Sequence, residues 1–94
     1  MLPKSVLFYW SKGAETRRKI LKIIHTRGEK GEPSFLNVIA SELGITHAAA
    51  KKHLDLLVEE GYIEQINPGG KPVYLRLTEK GKEVVEEFLG EADR

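Results

Sequence analysis

From residue 36 to residue 61 the apolar positions follow a helical period twice, with a single interruption at Gly44. Ser34 stands where a cap would open the first of these helices, Phe35 to Leu43. Thr46, two residues beyond the glycine, is placed to cap a second, whose Ala50, Leu54 and Leu57 recur at spacings of four and three. Gly61 is the residue expected just past its end. Upstream, Ile20, Leu21, Ile23 and Ile24 interleave with Arg18, Lys19 and Lys22, which predicts an amphipathic helix from Ala14 to Arg27. The run Gly28-Glu-Lys-Gly-Glu-Pro33 cannot continue it.

After Gly61 the period changes from helical to alternating. Tyr62 to Asn67 and Val73 to Leu77 are rich in Tyr, Ile, Val and Leu, and Pro68-Gly-Gly-Lys-Pro72 between them consists of turn formers, so a β-hairpin is expected. On its return strand Val73, Leu75 and Leu77 share one face, and Tyr74 and Arg76 the other. Thr78 is the expected cap of a last helix carrying Val84, Val85, Phe88 and Leu89 as a stripe and stopping at Gly90. The apolar run Val6 to Trp10 has no period that separates strand from helix, and is read here as a short helix.

Two helices bent sharply at a glycine make a helix-turn-helix, and the hairpin after them makes a wing. The predicted fold is mainly α with a small β-hairpin, a winged helix-turn-helix in one domain over residues 1–94. Its parts are an N-terminal packing or dimer segment (1–13), a helix (14–27), the helix-turn-helix (34–61), the wing (62–77) and a C-terminal helix (78–90). Helix-turn-helix units place their second helix in the DNA major groove, so DNA binding is the leading expectation.

Composition narrows the alternatives. With 94 residues the core is modest, and burial in a dimer would extend it. No cysteine is present, which excludes disulfides, thiolate metal sites and a cysteine nucleophile and fits a reducing, cytoplasmic setting. The run from Val6 to Trp10 is too short for a signal-peptide core or a membrane span, so a soluble, unprocessed protein is expected. The net charge of +1 hides a division: residues 1–31 carry +6 and residues 32–94 carry −5, a split that suits one basic face for phosphates. There is no Gly-x-Ser-x-Gly, no His-Glu-x-x-His and no phosphate-binding glycine loop, so no enzyme is expected and no cofactor is assigned. His47 and His53 are six apart, a poor spacing for one helical face, and no metal site is assigned. His53, at the edge of the apolar stripe, is read as a partly buried, hydrogen-bonded histidine.

Glu15-Thr-Arg-Arg-Lys-Ile-Leu-Lys-Ile-Ile24 and Ala50-Lys-Lys-His-Leu-Asp-Leu-Leu-Val-Glu-Glu-Gly-Tyr-Ile63 together resemble the ArsR-type regulators. Val73-Tyr-Leu-Arg-Leu-Thr-Glu-Lys-Gly81 resembles the wing exit of both ArsR and MarR regulators. The resemblance spans residues 14 to about 82 and is specific for the winged architecture rather than for one family within it. It implies a homodimeric transcription regulator, usually a repressor, on an inverted-repeat operator. The cysteine-based metal sensing of many ArsR-type proteins has no counterpart in a chain without cysteine.

The expected DNA contacts are Ser34, then Thr46, His47, Ala48, Ala49, Lys51 and Lys52 on the reading helix (46–60), and Gly69, Gly70, Lys71 and Arg76 on the wing, whose tip is 67–72. Arg17, Arg18 and Lys19 diverge around their helix and cannot make one patch alone; the resemblance, which sets this helix behind the reading helix, implies a solvated surface for them rather than a groove contact, with flanking backbone contacts left open. The expected partners are double-stranded DNA and a second copy of the chain. Candidate dimer residues are Phe8, Tyr9, Trp10, Val84, Val85, Phe88 and Leu89, which would otherwise leave a large apolar patch exposed. The rival reading is a winged-helix protein-interaction module in a transcription-related assembly, suggested by Asp55, Glu59 and Glu60 late in the second helix. A small-molecule effector is left open.

Overall fold

The apolar periods fold into helices α1 (Ala14–Glu29), α2 (Leu36–Leu43), α3 (His47–Glu59) and α4 (Glu79–Ala92), with strands β1 (Ile63–Gln65) and β2 (Leu75–Leu77) between the last two. The computed structural model describes residues 2–92. Val6–Trp10 forms a short π-helical turn ahead of α1.

The corner between α2 and α3 is made locally. Gly44 has φ 64° and ψ 34°, a left-handed conformation that strains any residue with a Cβ, and Ile45 N–H reaches back to Ala40 O at 3.1 Å to close α2. Thr46 is extended at φ −70°, and its hydroxyl accepts from Ala49 N–H at 3.1 Å, which opens α3. At the far end Tyr62 N–H bonds to Leu57 O at 2.9 Å as the chain passes through left-handed Gly61. This closure sends the chain directly into β1.

β1 and β2 pair antiparallel in the register Ile63 with Leu77, Glu64 with Arg76 and Gln65 with Leu75. Ile63, Leu75 and Leu77 therefore face inward, joining Ile20, Leu21, Ile24, Ile39, Leu54 and Leu57 in one core. The Thr78 hydroxyl accepts from Gly81 N–H at 3.1 Å and opens α4, which runs on through Gly90 to Ala92 rather than stopping there. Gly81 itself lies against the Tyr62 carbonyl so closely that a Cβ would come within 2.2 Å of that oxygen.

Several expectations are corrected by this packing. Phe8, Val84 and Val85 are fully enclosed within the protomer, with Phe8 edge-on to Tyr62 at 5.0 Å between ring centres, so they cannot line a dimer surface. They are core because α4 folds back along α1 and the N-terminal turn closes over both. Tyr9 and Trp10 stay exposed, Trp10 at 81%, and Phe88 is half-buried against Phe8 and Tyr9. The side chain of Leu89 lies outside the described residues.

Ser34 is not a helix cap. Its carbonyl accepts from Leu75 N–H at 2.9 Å in an isolated bridge, so the hairpin draws this backbone into extended form, and Phe35 takes the cap position without a side-chain bond. Ser34 is 3% exposed and its hydroxyl has no hydrogen-bond partner among the described residues. It is withdrawn from any groove contact.

Candidate nucleic-acid interface

α3 owes its orientation to three residues. Ala50, Leu54 and Leu57 lie on its buried side, which leaves Ala48 and Lys52 pointing away from the core, Lys51 exposed on the flank beside the wing and Ala49 half-buried at the border. Thr46 and His47 are exposed at the helix start, His47 in line with the buried stripe rather than opposite it. The expected reading residues, Ser34 apart, are thus brought together on the first turns of one helix. Their character is small side chains flanked by cations, a surface that allows close approach.

The two lysines differ in setting. Lys51 Nζ lies 2.7 Å from Asp55 Oδ2, a pair with both side chains more than half exposed and so of little structural consequence. Lys52 has no acidic partner among the described residues. Beyond Asp55 the outward face carries Glu59, so the cationic character is confined to the N-terminal half.

On one flank of α3 stands the root of the wing. A cleft of about 160 Å³ separates Lys51, Asp55 and Val58 from Gln65 and Val73. The tip is held by a residue that sequence reasoning passed over. Asn67 Oδ1 accepts from Tyr74 N–H at 2.7 Å and its Nδ2 donates to Pro72 O at 3.1 Å, so one amide clamps both sides of the turn. An asparagine at the mouth of a Pro-Gly-Gly turn was the available signal. Gly70 packs on this clamp: a Cβ there would come within 2.2 Å of Asn67 Nδ2. Gly69 and Lys71 are exposed, and Lys71 has no acidic partner among the described residues. Arg76, by contrast, is engaged by Glu64 directly across the ribbon.

On the other flank of α3 lies His53, half-buried, with its Nδ1 3.3 Å from Arg17 Nη1. Burial, reinforced by the charges of Arg17 and Lys52, pushes its pKa below the ordinary histidine value, so the ring is neutral at neutral pH and can accept from Arg17. Arg17 was expected on a solvated surface and is instead 5% exposed. Its guanidinium donates to Leu7 O at 2.7 Å, to Lys12 O at 3.4 Å and to the Ser11 hydroxyl. Arg18 similarly donates to Phe8 O and stacks near Tyr9, so two of the three consecutive cations hold the N-terminal turn on α1.

No group of three or more His, Asp or Glu placed to hold a metal occurs among the described residues. A second, larger groove of about 590 Å³ opens between the end of α1, β2 and α4, with Ile24, Tyr74 and Leu77 in its wall. No described helix is long and apolar enough to cross a membrane.

Comparison with known proteins gives the geometry a context. A family model described as "Helix-turn-helix domain" matches residues 13–66, from the base of α1 to the end of β1. Among solved structures, the protein AF1382 from Archaeoglobus fulgidus is 23% identical with a TM-score of 0.76, covering 84% of this chain and 86% of its own. ZitR from Lactococcus lactis is 27% identical with a TM-score of 0.70, covering 84% of this chain and 52% of its own. A mutant MarR from E. coli complexed with operator DNA is 24% identical with a TM-score of 0.64, covering 77% of this chain and 50% of its own. The chain thus spans about half the length of the ZitR and MarR proteins it matches. No curated protein matches it by sequence.

Proposed function

The chain belongs to the helix-turn-helix domain family, and from that membership we propose that it is a DNA-binding transcription regulator, a homodimeric repressor that reads the major groove with α3. One observation carries the reading: Thr46 caps α3 so that His47, Ala48, Lys51 and Lys52 stand exposed together at its start, with the wing beside them. The likeness to ZitR and to an operator-bound MarR supports it. Family and fold are those of transcription regulators, not of enzymes.

In this reading Thr46 and the first N–H groups of α3 take a phosphate, since a helix N-terminus offers unpaired donors and a positive dipole end. Ala48 and Ala49 lie against thymine methyl groups, and Lys51 and Lys52 reach guanine edges or phosphates, Lys51 by exchanging Asp55 for DNA. Gly69, Gly70 and Lys71 approach the backbone or the minor groove, and Arg76 serves a phosphate only when released from Glu64. Two copies pair through Tyr9, Trp10 and Phe88, setting their reading helices roughly 34 Å apart on one side of the duplex. Such a target places the protein in the cytoplasm.

Selection of bound sequences from a random duplex pool tests the proposal. The expected winner is an inverted repeat whose affinity falls steeply with salt. Failure to enrich any sequence, with no salt-dependent binding, would overturn it.

A further inference from the structure

The cations of this protein divide into those with acidic or structural partners and those without. Lys4, Lys19, Arg27, Lys51, Arg76 and Lys82 face carboxylates. Among the described residues Lys12, Lys52 and Lys71 face none, and neither do Lys22 and Lys30 along α1 and at its end. Lys52 and Lys71 already belong to the reading surface, on α3 and on the wing.

Lys12 belongs with them because its turn is fastened to α3. Gly13, left-handed at φ 88°, lies so close to the reading helix that a Cβ would come within 2.7 Å of His53 Cε1. Arg17 bridges the same junction, donating to Lys12 O at 3.4 Å while its Nη1 lies 3.3 Å from His53 Nδ1. Residue 53 is on the flank of α3 away from the wing, since the wing root stands beside 51, 55 and 58. The reading helix is therefore bracketed, with a lysine that has no acidic partner among the described residues in the bracket on each side.

We propose that Lys12 is a phosphate contact that grips the border of the major groove opposite the one met by the wing. A helix seated in that groove runs between two sugar-phosphate chains, and a fastened turn delivers its cation to one of them with little ordering cost. The inference rests on the DNA-binding reading and adds to it a contact that carries no sequence information but sets register.

The experiment titrates the selected duplex and a random duplex with the full chain and with Lys12→Ala, Lys12→Arg, Lys52→Ala and Lys30→Ala, each at two salt concentrations. Lys12→Ala should weaken both duplexes alike and reduce the logarithmic salt slope by about 0.9, so that its deficit is about three- to fourfold larger at about 50 mM than at about 200 mM salt. Lys12→Arg should retain wild-type binding, and Lys30→Ala, which removes the same charge elsewhere, should change little. Ethylation interference should lose phosphates on the groove border away from the wing in Lys12→Ala. Wild-type binding by Lys12→Ala while Lys52→Ala is weakened would overturn this inference and leave the DNA reading standing. Equal losses in Lys12→Ala and Lys30→Ala would reduce the effect to net charge and overturn it too. A wild-type chain with no salt-dependent affinity for any duplex would remove both.

Discussion

Arg17 on α1 and His53 on α3 meet with 3.3 Å between Nη1 and Nδ1, and through Arg17 the N-terminal turn, α1 and α3 are joined. The guanidinium satisfies the carbonyls of Leu7 and Lys12 as well. Removing it would leave those groups without their donor in a buried junction, which costs more than a typical surface substitution. Arg17→Ala is expected to destabilise the fold by about 2–4 kcal/mol in urea unfolding, whereas Lys19→Ala, on the exposed side of the same helix, should stay within about 0.5 kcal/mol.

The same pair sets a pH dependence. His53 is held below the ordinary histidine pKa of 6.5, chiefly by burial, with Arg17 and Lys52 as the positive charges facing it. The unfolded chain then binds a proton at a higher pH than the folded one. Stability is accordingly full above pH 6.5, falls as pH drops from there toward the depressed folded value, and levels once both states are protonated. Comparing the unfolding midpoint of the wild type with His53→Gln across this window checks it, the variant losing this part of the dependence.

Phe8 and Trp10 separate the core from the proposed association surface within one pentapeptide. Phe8 is fully buried and Trp10 is 81% exposed. Phe8→Leu is expected to lower stability by about 1–3 kcal/mol without changing the oligomeric state. Trp10→Glu should do the reverse, shifting sedimentation from dimer to monomer with the unfolding midpoint of the protomer preserved. A wild type that sediments as a monomer at all concentrations would refute the pairing.

Asn67 and Gly70 form the wing clamp, and there is no space at Gly70 for a side chain. Gly70→Ala and Asn67→Ala should loosen the tip and weaken DNA binding while leaving the core intact, because the inward residues Leu75 and Leu77 lie beyond the turn. Anisotropy titration against thermal melting separates the two effects.

The contrast between what was legible and what was not follows the range of the interactions. Gly44, Thr46 and Gly61 act on backbone groups within five residues of themselves, so the bounds of α3 could be read from the chain alone. Its stripe of Ala50, Leu54 and Leu57 named the buried side and hence the exposed one. Ser34 could not be read this way, because the strand that captures it lies some forty residues downstream at Leu75. Arg17 was misplaced because charged residues are rarely buried without partners, and its partners are the Leu7 and Lys12 carbonyls and the Ser11 hydroxyl, five to ten residues away on the turn ahead of α1. Phe8, Val84 and Val85 were apolar stripes whose destination, own core or second copy, has no signature in spacing. The Asn67 clamp joins residues five and seven apart in an irregular turn, where no period exists to announce it.

Ala48 offers the most direct test of the claim that the start of α3 enters the groove. It is exposed, it faces away from the core, and a carboxylate in the first turn of a helix complements the dipole, so Ala48→Glu should fold with wild-type stability. Facing phosphates and base edges, the same carboxylate should lower affinity for the selected duplex at least about 100-fold in an anisotropy titration. Binding by Ala48→Glu equal to that of the wild type would contradict the account.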